Sequence, residues 1–310
     1  MRRRTFLSGA LVAACSRRDQ KAPTPPAPPT PAPVTTPRDA TVLGPRGEVE
    51  LREWDMGDGM RAAVLVPTWA PPDVKFPVLV ALHGRGEAMK GPALGAMGWP
   101  KDYALVRAYG RMCAPPLVDA DFEGFVDDAR KRAINDDLGK TPFGGLVVAC
   151  PYLPDLELRK PEAIAPYARF IVDTLLPRVR RETPALTTAA ATGIDGVSLG
   201  GAVALRAGLT HPEAFGAVGS LQAAIGEDQT EELTALARAA RAKNPTLALR
   251  LLTSDKDYFK AAIHATSRAW KDAGVRHDMR LVPGPHDYPF NRGPGAIEML
   301  YWHDRRLSHS

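Results

Sequence analysis

The stretch Gly193-Ile194-Asp195-Gly196-Val197-Ser198-Leu199-Gly200-Gly201 decides how this chain is interpreted. Its centre has the pattern G-x-S-x-G, with a glycine two positions before and two positions after Ser198. An apolar run over 189–194 precedes the motif, and a helix-forming run over 199–209 follows it. Strand, sharp turn and helix in this order are typical of a nucleophile elbow, where small flanking residues avoid a clash. The pattern predicts an exposed Ser198 hydroxyl at a helix N-terminus, where partial positive charge favours a developing anion.

Strand-like and helix-like segments alternate on both sides of this motif. Apolar runs predict strands at 61–66, 78–82, 146–149, 189–194, 217–221, 247–252 and 279–282. Helical patterns cover 163–176, 199–209, 230–242, 259–273 and 296–307. Continuous apolar runs are typical of strands buried on both faces. The alternation therefore predicts an α/β fold with a mostly parallel central sheet and helices on both faces.

A long insertion, at about 86–143, interrupts the alternation after the third strand. Connections of this length usually carry function or form a small cap. We expect a mostly helical segment over the pocket, with simple surface elaboration as the alternative.

A nucleophilic serine needs a base that removes its proton and a third group that orients the base. His286 lies in a Gly/Pro turn between the last predicted strand and the last predicted helix. Asp255 and Asp257 both follow the predicted strand at 247–252, so the order along the chain is Ser, Asp, His. Asp257 could instead cap the next helix, and Asp255 could cap it or pair with Lys256. The residues alone leave the choice of acid open.

An oxyanion requires two preorganised N–H donors. Leu199, directly after the serine, supplies the first. The loop His83-Gly84-Arg85-Gly86 supplies the second, with Arg85 N–H as first choice and Gly84 N–H as second. His83 is expected to be structural, because no second ligand lies at metal-site spacing. The chemistry requires no metal or organic cofactor. The Arg85 side chain could meet an anionic group of the substrate or could be a plain surface arginine.

With these residues in place, the chain resembles the α/β-hydrolase superfamily, and within it the esterase group that includes esterase D, feruloyl esterases and mycolyltransferases. The resemblance covers roughly residues 60–306 and is carried by Leu82-His83-Gly84, the elbow, the Asp255/Asp257 turn and Gly284-Pro285-His286-Asp287-Tyr288. Pro285 and Ser254 stand where the family has glycines.

This resemblance implies an α/β-hydrolase fold and hydrolysis of carboxylic esters through an acyl-enzyme. It implies Ser198, Asp257 and His286 as the catalytic set, and it favours Asp257 over Asp255 by position in the acid turn. The expected substrate is a small-molecule or polysaccharide-linked ester. Acyl transfer, a serine peptidase of the same fold and a non-catalytic surface-binding lipoprotein remain alternatives.

The N-terminus is expected to be a targeting segment. Arg2, Arg3 and Arg4 precede a short apolar run, and Val12-Ala13-Ala14-Cys15 resembles a bacterial lipobox. We predict a signal peptide at 1–15 with lipidation of Cys15, a Pro-rich linker at 16–39 and the α/β-hydrolase domain at 40–310. The protein would then be exported and lipid-anchored to the cell envelope, facing periplasm or cell surface. An ordinary secretory signal with an incidental Cys is the alternative.

The charge composition indicates which classes of partner the protein could bind. The net charge of +5 falls to +2 without Arg2, Arg3 and Arg4, and no basic stripe is interleaved with aromatic residues. The sequence therefore gives no indication of nucleic-acid binding. Cys113 and Cys150 remain in the domain, and the sequence leaves open a disulfide or two buried thiols.

Overall fold

The computed structural model describes residues 46–309, which contain one eight-stranded mixed sheet in the order β1-β2-β4-β3-β5-β6-β7-β8. The strands are β1 (Val49–Gly57), β2 (Met60–Pro67), β3 (Val78–Leu82), β4 (Val147–Pro151), β5 (Thr192–Gly196), β6 (Ala217–Val218), β7 (Ala248–Ser254) and β8 (Asp278–Val282). Strands β1 and β2 pair antiparallel with their neighbours, and the pairs from β4 to β8 are parallel. The prediction of a mostly parallel sheet is confirmed.

Helices cover both faces of the sheet. They are α1 (Arg85–Ala88), α2 (Pro92–Gly95), α3 (Leu105–Cys113), α4 (Asp128–Lys140), α5 (Pro161–Arg169), α6 (Leu176–Glu182), α7 (Leu199–Thr210), α8 (Thr230–Lys243), α9 (Lys260–Asp272), α10 (Tyr288–Phe290) and α11 (Ala296–Arg306). Val78 and Val80 of β3 pack in the core with α5 and α7, whereas Leu79 packs in the other core with α3 and α11. Both faces of the central strands are therefore buried, which explains their continuous apolar runs.

Three strand assignments differ from the sequence prediction. Strand β6 ends at Val218 and not at residue 221. Residues Ala189–Ala191 form a short 3-10 helix, so the strand before the elbow begins at Thr192. Strand β1 was not predicted, because its residues alternate charged with apolar side chains and only Trp54 among them is buried. Such a half-exposed edge strand lacks the apolar run that marks a central strand.

The segment between β3 and β4 contains α1 to α4. Tyr109 and Ile134 of this segment pack in the core beneath the sheet, together with Leu300 of α11. Among the described residues that line the cleft beside Ser198, only Arg85 comes from this region, and none lies within 86–143. The segment thus covers a face of the sheet and does not line the cleft as expected, because side chains such as Tyr109 and Ile134 pack in the core.

Both cysteines of the described domain are free thiols. Burial raises the pKa of the Cys113 thiol to about 12 and also raises the pKa of the Cys150 thiol. The structure therefore has two unpaired thiols, of which Cys150 is buried and Cys113 is only partly buried. The predicted signal peptide, the lipidation site at Cys15 and the linker at 16–39 lie outside the described residues. No helix within 46–309 has the length and apolar character needed to span a membrane.

Candidate active site

Ser198 occupies the turn between β5 and α7 in a strained backbone conformation, with φ 56° and ψ −116°. Its N–H donates to the carbonyl of Leu221 at 3.0 Å, which fixes the turn against the neighbouring loop. A Cβ on Gly200 would lie 2.4 Å from the Leu82 carbonyl oxygen, and one on Gly196 would lie 2.5 Å from the Gly200 carbonyl carbon. Only glycine fits at these two positions, as the elbow motif predicts.

We expect Gly200→Ala to lower the free energy of unfolding by about 3 kcal/mol or more, because the added methyl meets backbone that cannot rotate away. Gly139→Ala is the matched control: Gly139 lies in the exposed end of α4, and a Cβ there would meet nothing within 4 Å. That change should be neutral or stabilising by about 0.5–1 kcal/mol. Urea denaturation of both variants measures the difference, and equal stabilities would contradict the close approach at Gly200.

A buried ion cluster anchors the strand that carries the serine. One Asp195 oxygen accepts from Gly196 N–H at 2.8 Å. The other accepts from Arg250 at 2.8 Å and from His303 Nε2–H at 3.0 Å. Burial lowers the pKa of His303, although its hydrogen bond to Asp195 acts in the opposite direction. Strand β5 is thereby tied to β7 and α11 just before the elbow.

His286 and Asp257 lie side by side on the loops that follow β8 and β7. The Nδ1–H of His286 donates to Asp257 Oδ1 at 2.7 Å, because an ionised carboxylate can only accept. In the neutral ring with this tautomer, Nε2 can accept a proton and act as a base. Asp257 is fully buried, and it also accepts from the hydroxyl of Thr253 at 2.6 Å and from Phe259 N–H at 3.1 Å. These bonds fix the carboxylate that orients the imidazole.

Asp255, two residues before Asp257, has a different structural role. Its Oδ1 accepts from Gly284 N–H at 2.8 Å, and its own N–H donates to the carbonyl of Val282 at 3.0 Å. Gly284 has φ +131°, a conformation that favours glycine. Asp255 therefore joins the two loops and does not contact His286 among the described interactions.

Sequence reasoning missed Gln222, which is completely buried in the loop after β6. Its side-chain amide donates to the carbonyl of Pro285 at 2.8 Å and to the hydroxyl of Ser254 at 2.6 Å. Gln222, in the loop after β6, therefore fixes the position of Pro285, the residue before His286. No sequence motif marks this glutamine, because its partners are distant along the chain.

The two candidate oxyanion donors flank Ser198. Leu199 N–H is at the first position of α7 and Arg85 N–H at the first position of α1, where no helix carbonyl can accept them. A Cβ on Gly84 would lie 3.8 Å from Ser198 Cβ, so the loop lies against the serine. The N–H of Gly84 itself donates to the hydroxyl of Tyr103 at 3.2 Å. This geometry favours Arg85 over Gly84.

His83 connects the loop at 83–86 to the loop that follows β4. It is buried, its Nδ1–H donates to the Gly84 carbonyl at 2.9 Å, and its Nε2 accepts from Leu153 N–H at 2.9 Å. Burial lowers the pKa of His83 and favours the neutral ring that this pattern requires. Among residues 46–309, no group of three or more His, Cys, Asp or Glu side chains could hold a metal ion.

A cleft of about 420 Å³ adjoins Ser198. Its walls are residues 157–159 and 224–226, and Arg85 and Phe259 also line it. The Arg85 Nε donates to Asp155 at 2.7 Å, so its charge is already partly balanced. Ser198 Oγ forms no hydrogen bond with His286 in the described part of the chain, and such contacts commonly tighten only in the substrate complex.

The sheet order, the elbow and the Asp257–His286 pair are those of the α/β-hydrolase fold. Residues 159–290 match the family model described as "Putative esterase". No curated protein sequence matches the chain. The family match supports a hydrolase of the esterase group.

Solved structures agree on the fold. A ferulic acid esterase is 16% identical with a TM-score of 0.58, covering 84% of this chain and 98% of that one. The apo S-formylglutathione hydrolase of Staphylococcus aureus is 14% identical with a TM-score of 0.54, covering 87% and 99%. The fluorophosphonate-binding serine hydrolase F of the same organism is 12% identical with a TM-score of 0.57, covering 83% and 98%.

Proposed function

We propose that the protein is a serine esterase that cleaves carboxylic esters through an acyl-enzyme. The observation that carries the proposal is the Asp257–His286 hydrogen bond of 2.7 Å at the same edge of the sheet as the strained Ser198 turn. A base with an oriented tautomer and a serine that lines a cleft are what acyl transfer needs.

The reaction follows from the roles of these residues. Ser198 Oγ bonds to the ester carbonyl carbon while His286 Nε2 takes the hydroxyl proton. Leu199 and Arg85 N–H groups donate to the resulting oxyanion. The carbon–oxygen bond to the alcohol then breaks, and His286 returns the proton to that oxygen. Water repeats both steps with His286 as base, releasing the carboxylic acid and restoring Ser198.

A fluorophosphonate probe tests this proposal directly. It should react with the folded protein once, and peptide mass analysis should locate the adduct on Ser198. An excess of a cleaved ester should slow the labelling. A folded protein that does not label, or that labels at another residue, would overturn the proposal.

The surroundings of His286 support an alcohol portion with a ring. Tyr258 is 79% exposed, and its ring centroid lies 5.2 Å from that of His286. Because His286 must protonate the departing alcohol, that alcohol lies on the Tyr258 side. An exposed aromatic face suits a sugar ring, which agrees with the expected small-molecule or polysaccharide-linked ester.

We expect Tyr258→Ala to raise KM for an acetylated sugar about tenfold, the effect of losing ~1.4 kcal/mol of stacking. The KM for ethyl acetate, which has no ring, should stay within about twofold. Leu281→Ala is the control, since Leu281 is a half-exposed apolar residue on strand β8. Initial-rate kinetics on both esters measures the effect; equal changes for the two esters would refute the role of Tyr258.

We also propose that the enzyme is exported and lipid-anchored to the cell envelope through Cys15, with 16–39 as spacer, facing periplasm or cell surface. The lipobox-like residues before Cys15 and the arginines before the apolar run support this. In a bacterial host, the wild type should incorporate labelled palmitate and sediment with membranes, and Cys15→Ser should do neither. Palmitate on the Cys15→Ser variant would disprove the assignment.

A further inference from the structure

Glu87 is a buried carboxylate that the mechanism above does not use. It lies in α1, two residues after Arg85, and is only 1% exposed. A buried carboxylate is costly unless hydrogen bonds and opposite charge compensate it. Its two oxygens contact two loops of the site.

Glu87 Oε2 fixes the loop at 83–86, which contains the proposed Arg85 donor and is called the oxyanion loop below. Tyr103 donates its hydroxyl proton to Glu87 Oε2, and that same hydroxyl accepts from Gly84 N–H at 3.2 Å. The Tyr103 ring packs edge-on against Trp99, with centroids 4.9 Å apart. Burial, together with the charge of Glu87, raises the pKa of Tyr103 well above its usual value, so the hydroxyl stays protonated. Gly84 is therefore fixed one residue before the proposed Arg85 donor.

The second oxygen holds the loop of the histidine. Tyr288, two residues after His286, donates its hydroxyl to Glu87 Oε1 at 2.5 Å. Lys90 Nζ lies 3.5 Å from the same oxygen and 2.8 Å from an Asp102 oxygen. The Lys90 ammonium compensates the buried charge and also lies 5.3 Å from the centre of the Tyr288 ring.

We propose that Glu87 is a positioning residue that sets the distance between the oxyanion loop and His286, a role that rests on the proposed esterase function. A carboxylate can accept from both tyrosines at once, which a glutamine amide cannot do because one of its ends is a donor. Displacement of catalytic groups by about 1 Å can cost 100-fold in rate. The Tyr103 bond also leaves Arg85, and not Gly84, to donate to the oxyanion.

The test compares Glu87→Gln, Tyr103→Phe and Tyr288→Phe with the wild type. We expect Glu87→Gln to lower kcat about 30- to 100-fold with KM within twofold. Affinity for phenylboronic acid, which forms a tetrahedral adduct with a serine, should weaken in parallel with kcat/KM. Tyr103→Phe and Tyr288→Phe, which each remove one hydroxyl bonded to Glu87, should each lower kcat about tenfold. If Glu87→Gln does not fold, these two variants still test the positioning role of Glu87.

Tyr109→Phe is the matched control. Tyr109 is a fully buried tyrosine of α3, and within residues 46–309 its hydroxyl bonds only to the backbone of Leu146, at 2.8 and 3.0 Å. Its loss should lower the melting temperature but leave kcat and boronate affinity within twofold of the wild type. An equal loss of kcat in Tyr109→Phe, or a kcat within threefold of wild type in folded Glu87→Gln and Tyr103→Phe, would overturn the inference. A wild type that shows no esterase activity and no Ser198 adduct would instead overturn the proposed function.

Discussion

Replacing Ser198 with alanine should lower kcat for an ester by about 10⁶-fold, down to the residual rate that oxyanion donors and binding alone provide. The change removes the hydroxyl that forms the acyl bond. It leaves the elbow backbone intact, because the Ser198 N–H and carbonyl, and not its side chain, make the bonds that fix the turn. The residual kcat of this variant must be measured with an assay that can detect a single turnover per enzyme molecule.

The chain offers a matched control for this variant. Ser267 of α9 is hydrogen-bonded to a histidine, since its hydroxyl lies 2.7 Å from His277 Nε2. The Nδ1 of that histidine is bonded to the Val275 carbonyl, not to a carboxylate. Ser267→Ala should leave kcat within about twofold and should still be labelled by the fluorophosphonate. Full activity in Ser198→Ala would refute the assigned nucleophile.

Replacing Asp257 with asparagine should lower kcat by about 10⁴-fold with little change in KM. The asparagine amide keeps the size of the carboxylate but favours the imidazole tautomer whose proton is on Nε2. His286 could then no longer accept the proton of Ser198. The carboxylate is fully buried, and its three partners are His286, the Thr253 hydroxyl and Phe259 N–H.

Asp255→Asn is the natural comparison, since it makes the same chemical change two residues away. Its remaining carbonyl oxygen can still accept from Gly284 N–H, so we expect a loss of no more than about tenfold. Steady-state kinetics on one ester, with unfolding curves for both variants, separates catalytic from structural effects. Equal losses, or a larger loss in Asp255→Asn, would show that the acid is assigned to the wrong residue.

The sequence predicts the parts of the site that depend on local patterns. The elbow glycines, the serine and the late histidine follow fixed spacings, because a strand–turn–helix junction constrains its own residues. The choice between Asp255 and Asp257 is not local: it depends on which carboxylate faces a loop that lies about thirty residues later, where His286 is bonded at 2.7 Å. Position in a family motif favoured Asp257, and it is Asp257 that contacts His286.

Other features required the tertiary structure. Glu87 meets Tyr288, which is 201 residues away in sequence, and Gln222 meets the Pro285 carbonyl, which is 63 residues away. Neither has a periodicity or a turn signature that would predict its partner. Strand β1 is not predicted for a different reason: a mostly exposed edge strand has no continuous apolar run.

Two segments of the cleft wall contain none of the groups that perform the chemistry. Residues 157–159 and 224–226 line it, whereas the acid and the base come from the connections after β7 and β8. Substitutions in these walls can therefore redirect which esters are accepted while the reacting groups stay in place. In evolutionary terms, substrate range and reaction type can diverge separately in this protein, and exchanging these two short segments is a practical route to re-engineering its selectivity.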